Sequence, residues 1–228
     1  MNKIIQALNL TKVYENSGET TYALKGIDFS VQKGESLAII GKSGSGKSTL
    51  MHVLATLDRP GSGELIIDGQ PTTQLSSADL DQIRNKKYGF VFQQFFLNGR
   101  NTCLENVILP LMIMGISSKE RKARGMEMLH ALGLGDKFKQ QANNLSGGQK
   151  QRLVIARALI TKPEIIFADE PTGNLDTENG KIITDLLFKL QREQGITLII
   201  VTHDSDLAVL CDRTITLKDG QIVNGGLK

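Results

Sequence analysis

A glycine- and serine-rich octapeptide, GKSGSGKS at residues 41–48, carries the clearest chemical signal in this chain. It matches the pattern G-x-x-x-x-G-K-[ST] and lies between the apolar stretch SLAII and the helical stretch KSTLMHVLA. Glycines at this spacing let backbone N–H groups face phosphate oxygens, and the following helix adds the positive end of its dipole. We therefore predict a phosphate-binding loop made of Gly41, Lys42, Ser43, Gly44, Ser45, Gly46, Lys47, Ser48 and Thr49.

Two side chains of this loop have the chemistry of a nucleoside triphosphate site. Lys47 supplies a point charge to the β- and γ-phosphates, and the hydroxyl of Ser48 is placed to bind Mg²⁺. A Gly/Ser-rich loop without a ligand is the alternative, and the flanking strand and helix disfavour it.

A second chemical signal is the apolar run IIFA at residues 165–168, which ends in two carboxylates, Asp169 and Glu170. The carboxyl edge of a parallel sheet is where α/β proteins bind ligands. We predict that Asp169 binds Mg²⁺, either directly or through an intervening ligand, and that Glu170 orients and deprotonates an attacking water. Capping of a following segment is the alternative for one of the two acids.

The pentapeptide LSGGQ at residues 145–149 is the third signal. Ser146 is a suitable N-cap for the helical stretch that follows, and glycines there allow close backbone approach. A second helix N-terminus that receives phosphate is therefore predicted, formed by Ser146, Gly147, Gly148 and Gln149. A plain Gly-rich turn that opens a helix is the alternative.

Short apolar runs and helical patterns define the elements that must position these residues. Strands are predicted at 4–10, 27–31, 36–40, 64–67, 88–92, 165–168, 197–201 and 214–217. Helices are predicted at 47–55, 77–86, 118–132, 148–161, 178–194 and 205–210. Hairpin turns are predicted at 32–34, 68–69 and 219–220.

These elements predict an α/β fold. Near-continuous apolar runs such as TLIIV are typical of strands buried on both faces of a parallel sheet. We predict an α/β core of residues 1–92 and 163–228, with an antiparallel patch, and an inserted helical subdomain of residues 93–162.

Composition narrows the class of protein further. The chain has 228 residues, 27 basic and 24 acidic, and its net charge of +3 does not indicate a nucleic-acid partner. Two isolated cysteines, Cys103 and Cys211, are expected to be buried thiols in a reducing compartment. The N-terminus lacks the pattern of a signal peptide, and no apolar run is long enough to cross a bilayer, so a cytosolic protein is expected.

Over essentially its whole length the chain resembles the ATP-binding cassette (ABC) ATPases, through the loop at 41–48, LSGGQ at 145–149 and ADEPTGNLD at 168–176. The resemblance implies a P-loop NTPase (RecA-like) core that binds and hydrolyses ATP with Mg²⁺. It also implies a homodimer that encloses two ATP molecules, in which the LSGGQ helix of one subunit faces the ATP of the other.

The resemblance assigns further residues one by one. Gln93 matches the Q-loop glutamine, which contacts Mg²⁺ and the water, and His203 matches the histidine that contacts the γ-phosphate. Tyr14 matches the aromatic residue that stacks on adenine, although a surface tyrosine near a strand end remains the alternative. Asn174, Leu175 and Asp176 match the D-loop, which bridges the two subunits.

The segment EPTGNLD at residues 170–176 resembles the same segment in the ABC ATPases that serve macrolide export and lipoprotein release. In that subgroup the ATPase is a separate chain from its permease. An integral membrane permease is therefore the expected partner, and the chain is expected on the cytoplasmic face through that permease alone. The stretch 107–115 is either a groove for a permease helix, where a charge at Leu111 or Ile113 would uncouple transport, or a plain buried helix. A motor subunit of a non-transporting complex that signals to cell-wall enzymes, or a soluble protein of DNA repair or translation, are the alternatives.

Overall fold

The computed structural model describes residues 2–16 and 19–225. The strands are β1 (Lys3–Asn16), β2 (Glu19–Gln32), β3 (Ser36–Ile40), β4 (Ser62–Ile67), β5 (Gln70–Pro71), β6 (Tyr88–Phe92), β7 (Ile165–Asp169), β8 (Thr197–Val201), β9 (Arg213–Lys218) and β10 (Gln221–Asn224). The helices are α1 (Lys47–Leu54), α2 (Ser77–Lys87), α3 (Cys103–Val107), α4 (Leu109–Ile113), α5 (Ser118–Ala131), α6 (Gly147–Leu159), α7 (Thr177–Gln194) and α8 (Ser205–Val209). Each predicted strand and helix is present, and β1 and β2 extend beyond their predicted ends.

The chain forms two compact units, one of residues 1–82 and 191–228 and the other of residues 83–190. In the first unit, β1 pairs antiparallel with both β2 and β4, and β4 pairs with β5. In the same unit β3 lies between β8 and β9 in parallel register. Every residue of β8 is buried, which confirms that its continuous apolar run belongs to a covered parallel sheet.

Two of the three predicted hairpin turns are confirmed. Asp68 and Gly69 connect β4 to β5, and Asp219 and Gly220 connect β9 to β10, with positive φ at all four residues, as type I′ turns require. The hairpin predicted at residues 32–34 is wrong, because β2 and β3 belong to different sheets. Both edges of β3 are occupied by β8 and β9, so no edge is left for β2.

In the second unit β6 and β7 pair in parallel register, and Phe92 lies opposite Asp169. Helix α6 packs against β6, and α3 packs against both α5 and α6. No strand forms between residues 93 and 162, all of which are described, in agreement with the helical pattern predicted there. The boundaries of a separate helical subdomain at 93 and 162 stay a prediction.

Both cysteines are buried, as expected from their isolation in the sequence. Burial raises the pKa of the Cys103 thiol and keeps it protonated. Across residues 2–16 and 19–225, none of the helices combines the length and the apolar character that a bilayer-spanning segment needs.

Candidate functional site

The phosphate-binding loop connects the end of β3 to the start of α1, as the sequence predicts. Lys47 is the first residue of α1, and its Nζ donates hydrogen bonds to the carbonyl oxygens of Gly41 (2.8 Å) and Lys42 (3.0 Å). Gly46, the N-cap, has φ of 102°, and a side chain there would collide with the backbone oxygen of Ala23. The loop is therefore closed around its own lysine, and only glycine fits at its last turn.

A cavity of about 640 Å³ opens over this loop within the first unit. Its volume falls in the range of small-molecule and cofactor sites. One side is formed by Ser43, Gly44 and the residues from Gly46 to Thr49, and another by β2 and the Asp219–Gly220 turn. Tyr14 also lines the cavity, so the structure places the predicted adenine-stacking residue beside the predicted phosphate loop.

Tyr14 is held in place by Asp58 and Lys12. Its hydroxyl donates to Asp58 Oδ2 at 2.9 Å, and Lys12 Nζ forms a 2.7 Å ion pair with Asp58 Oδ1. Partial burial opposes ionisation of Asp58, but the hydrogen bonds from Lys12 and Tyr14 outweigh it and lower the pKa of this carboxyl. Burial, and then the hydrogen bond to Asp58, raise the pKa of Tyr14, so the phenol stays neutral.

His203 also belongs to the first unit, two residues beyond the end of β8, and it is exposed. The next residue, Asp204, is the N-cap of α8, where its carboxylate accepts hydrogen bonds from the N–H groups of Asp206 and Leu207. This cap ends the loop that carries His203 and so restricts its backbone.

In the second unit β7 ends at Asp169, and Glu170 follows with φ of 45°. A positive φ is unfavourable for glutamate, and such strain concentrates at functional positions. The carbonyl oxygen of Glu170 accepts from the N–H of Gly173 at 3.0 Å, which stabilises the turn. The amide of Gln151, buried on α6, donates to the carbonyl oxygen of Pro171 at 2.6 Å and anchors the same turn.

The LSGGQ helix begins as predicted. Ser146 is the N-cap of α6, and its side chain and that of Gln149 form a reciprocal capping box. A Cβ at Gly148 would collide with the side chain of Asn179, so glycine is required for the close approach of α7. Asn179 in turn donates to both carboxylate oxygens of Asp176, through N–H (2.9 Å) and Nδ2 (2.8 Å), and these bonds lower the pKa of Asp176.

Gln93 is exposed and directly follows β6. Within the second unit the structure brings it together with the D-loop, because Asn174 Nδ2 donates to the carbonyl oxygen of Gln93 at 2.7 Å. In the segment that follows Gln93, the carbonyl oxygens of Phe95 (3.1 Å) and Phe96 (2.7 Å) accept hydrogen bonds from the guanidinium of Arg157 on α6.

Three of these supporting residues were missed from the sequence: Asp58, Gln151 and Arg157. Each acts by holding a backbone or side chain that is distant along the chain. For Arg157 there was one available signal, because it is a charged residue between apolar neighbours in the run LVIARAL of α6. Gln151 lies between Lys150 and Arg152, so its burial could not be read from its neighbours. No local pattern marks Asp58.

The fold and these loops define a P-loop nucleotide-binding protein of the α/β class. The family profile described as ABC transporter matches residues 24–173, and the chain therefore belongs to the ABC transporter family, as an ATP-binding subunit.

Relatives agree with this assignment over nearly the full length. The chain is 45% identical to the lipoprotein-releasing system ATP-binding protein LolD of Syntrophus aciditrophicus, covering 96% of this chain and 99% of that one. It is 46% identical to an uncharacterized ABC transporter ATP-binding protein of Thermotoga maritima, covering 97% and 94%. Among solved structures, a dimeric post-hydrolysis state of the cassette MJ0796 bound to ADP and Pi matches with a TM-score of 0.89, 43% identity and 98% coverage of both chains. These relatives do not favour a non-transporting complex.

Proposed function

We propose that this chain hydrolyses ATP to ADP and phosphate and thereby drives a separate integral membrane permease, in export or lipoprotein release. The observation that carries the proposal is the cavity over the phosphate-binding loop, which both Lys47 and Tyr14 line. It offers a cation for phosphate and an aromatic ring for a base, which are the two ends of a nucleotide.

Lys47 would exchange its two carbonyl partners for phosphate oxygens. Its present bonds show that the ammonium already lies within the loop, so little rearrangement is needed. The remaining loop residues from Gly41 to Thr49 would donate N–H groups to the same phosphates.

Glu170 would accept a proton from the water that attacks the γ-phosphorus, and the bond from that phosphorus to the ADP oxygen would break. Its strained backbone at the end of β7 supports this role. Gln93 would orient the water, and His203 would contact the γ-phosphate.

Ser48, Gln93 and Asp169 are the residues that would hold Mg²⁺. Their hydroxyl, amide and carboxylate oxygens are the hard ligands that this ion prefers. Bound Mg²⁺ supplies positive charge that neutralises the transferred phosphoryl group.

A homodimer would complete the site. The N-terminus of α6, with residues 146–149, would receive the γ-phosphate of the ATP that the partner subunit holds, and Asp176 would lie in the segment that bridges the subunits. The capped, 13-residue α6 supports this role, because its first N–H groups and its dipole both favour an anion.

Attachment to the cytoplasmic face of the membrane would occur through the permease. Helix α4 presents a suitable surface, since Leu109, Met112 and Ile113 are 46%, 47% and 70% exposed. The similarity to the LolD of Syntrophus aciditrophicus supports lipoprotein release or a related export as the process, and ATP hydrolysis would supply its energy.

The decisive experiment compares Glu170→Gln with the parent chain in an ATPase assay. We expect ATP binding to be retained and turnover to fall at least ~100-fold, in the range of a lost general base. Glu127→Gln makes the same change on the exposed side of α5 and should leave turnover within about twofold. Near-normal turnover of Glu170→Gln would refute the proposed mechanism.

A further inference from the structure

Gly173 and the D-loop residue Asn174 both contact Gln93, which lies 81 positions from Asn174 in the sequence. Asn174 Nδ2 donates a 2.7 Å hydrogen bond to the backbone oxygen of Gln93. At Gly173 an added Cβ would lie 2.9 Å from Gln93 Nε2 and 3.3 Å from its Cδ. Asn174 therefore holds the backbone of Gln93, and Gly173, which has no side chain, leaves room for the Gln93 amide.

This contact lies at the edge of the sheet where Gln93 and Glu170, two of the proposed hydrolysis residues, follow β6 and β7. Phe92 and Asp169 are paired in register on β6 and β7, so Gln93 and Glu170 both leave the sheet at the same edge. Glu170 is strained, and Gly173 N–H holds its carbonyl oxygen at 3.0 Å. Gly173 and Asn174 thus contact both chain segments that leave this edge.

We propose that Gly173 and Asn174 act as a latch that positions the Gln93 amide relative to Glu170, which makes Asn174 a positioning residue for hydrolysis. The inference rests on the proposed function, since Gln93 matters only if it orients the water or binds Mg²⁺. Gly173 has no positive φ, so its requirement is steric. A larger residue there displaces the Gln93 amide, the very group that the mechanism needs.

Two substitutions remove the hydrogen-bond donor of Asn174 in different ways. Asn174→Leu removes the donor, keeps a similar side-chain size and adds no charge. Asn174→Asp replaces the donor by a carboxylate oxygen that repels the Gln93 carbonyl. Because one exposed hydrogen bond is lost, we expect kcat to fall about 3- to 10-fold in both. The KM for ATP should change less than about twofold, because Lys47 and Tyr14, the proposed contacts for phosphate and base, are left intact.

Gly173→Ser tests the steric part of the latch. It should lower kcat by a similar factor and raise the Mg²⁺ concentration for half-maximal activity, because the displaced amide is a proposed Mg²⁺ ligand. Asn2→Asp, the same substitution as in Asn174→Asp at an exposed position before β1, serves as the control and should match the parent chain. Thermal unfolding of every variant should stay near that of the parent, since Gly173 and Asn174 are both exposed.

The outcomes separate this inference from the proposed function. Parent-like kcat in Asn174→Leu and Gly173→Ser, with turnover abolished in Glu170→Gln, overturns the latch alone. A fall only in Asn174→Asp indicates an effect of the added charge and also overturns it. A raised KM together with a lowered melting temperature indicates general disruption and overturns it as well. Normal turnover in Glu170→Gln overturns both proposals.

Discussion

Tyr14 and Asp58 are joined by a 2.9 Å hydrogen bond from the phenol to the carboxylate, although 44 positions separate them in the sequence. Lys12 contacts the other carboxylate oxygen and also lies over the Tyr14 ring, with its Nζ 5.2 Å from the ring centroid. The ring is thereby held at the wall of the cavity above the phosphate-binding loop.

The first prediction concerns this ring. Tyr14→Leu should weaken ATP binding about 5- to 20-fold, within the range measured for stacking of a base on an aromatic side chain. Inorganic tripolyphosphate, which has no base, should bind equally to the variant and the parent. Calorimetric titration with both ligands checks this, and an equal loss of affinity for both would exclude stacking as the role of Tyr14.

The second prediction separates binding from hydrolysis. Lys47→Ala should weaken ATP affinity about 10- to 100-fold, because charge-assisted hydrogen bonds to phosphate are lost. His203→Ala should bind ATP almost normally and lose turnover about 100-fold. Titration and steady-state kinetics test the pair, with Lys189→Ala on the exposed side of α7 as the control. Normal affinity of Lys47→Ala would contradict the assignment of the phosphate loop.

The third prediction tests the composite dimer. Ser146→Arg should bind ATP in its own loop yet fail to dimerise, because the arginine blocks the N-terminus of α6. An equimolar mixture with Lys47→Ala subunits should form dimers with ATP, since such a pair retains one intact site. Light scattering measures the masses. Ser117→Arg is a matched control, because it replaces the N-cap serine of α5 and should leave dimerisation unchanged. If the mixture shows the same masses as the two variants measured separately, an ATP site shared between two subunits is contradicted.

The fourth prediction corrects the sequence-based expectation for helix α4. Leu111 was expected to share a docking surface with Ile113, but it is fully buried, whereas Ile113 is 70% exposed. Ile113→Glu should abolish permease-dependent membrane attachment and leave basal ATPase activity within about twofold. Leu111→Glu should instead destabilise the chain by more than about 3 kcal/mol, because it buries a charge. Membrane co-sedimentation and thermal melts measure both, and attachment of Ile113→Glu at the parent level would remove α4 from the interface.

Features that depend on neighbours in the sequence were predicted correctly. The glycine-rich loop between β3 and α1, the Asp68–Gly69 turn and the Ser146 cap each rest on backbone geometry and hydrogen bonds within a few residues. Their residue types therefore report the local structure directly. Apolar continuity likewise indicated the buried strands that end at Asp169 and before His203.

Contacts between distant segments were decided only by the tertiary structure. Which strand takes each edge of β3 depends on the packing of the whole sheet, and the turn at residues 32–34 was misread for that reason. Asp58 meets Tyr14, and Asn174 meets Gln93, because folded elements bring them together across 44 and 81 positions. Sequence alone determined which groups could do chemistry here, because composition and spacing are local. The side chains that hold those groups in place were set by packing, which no short pattern encodes.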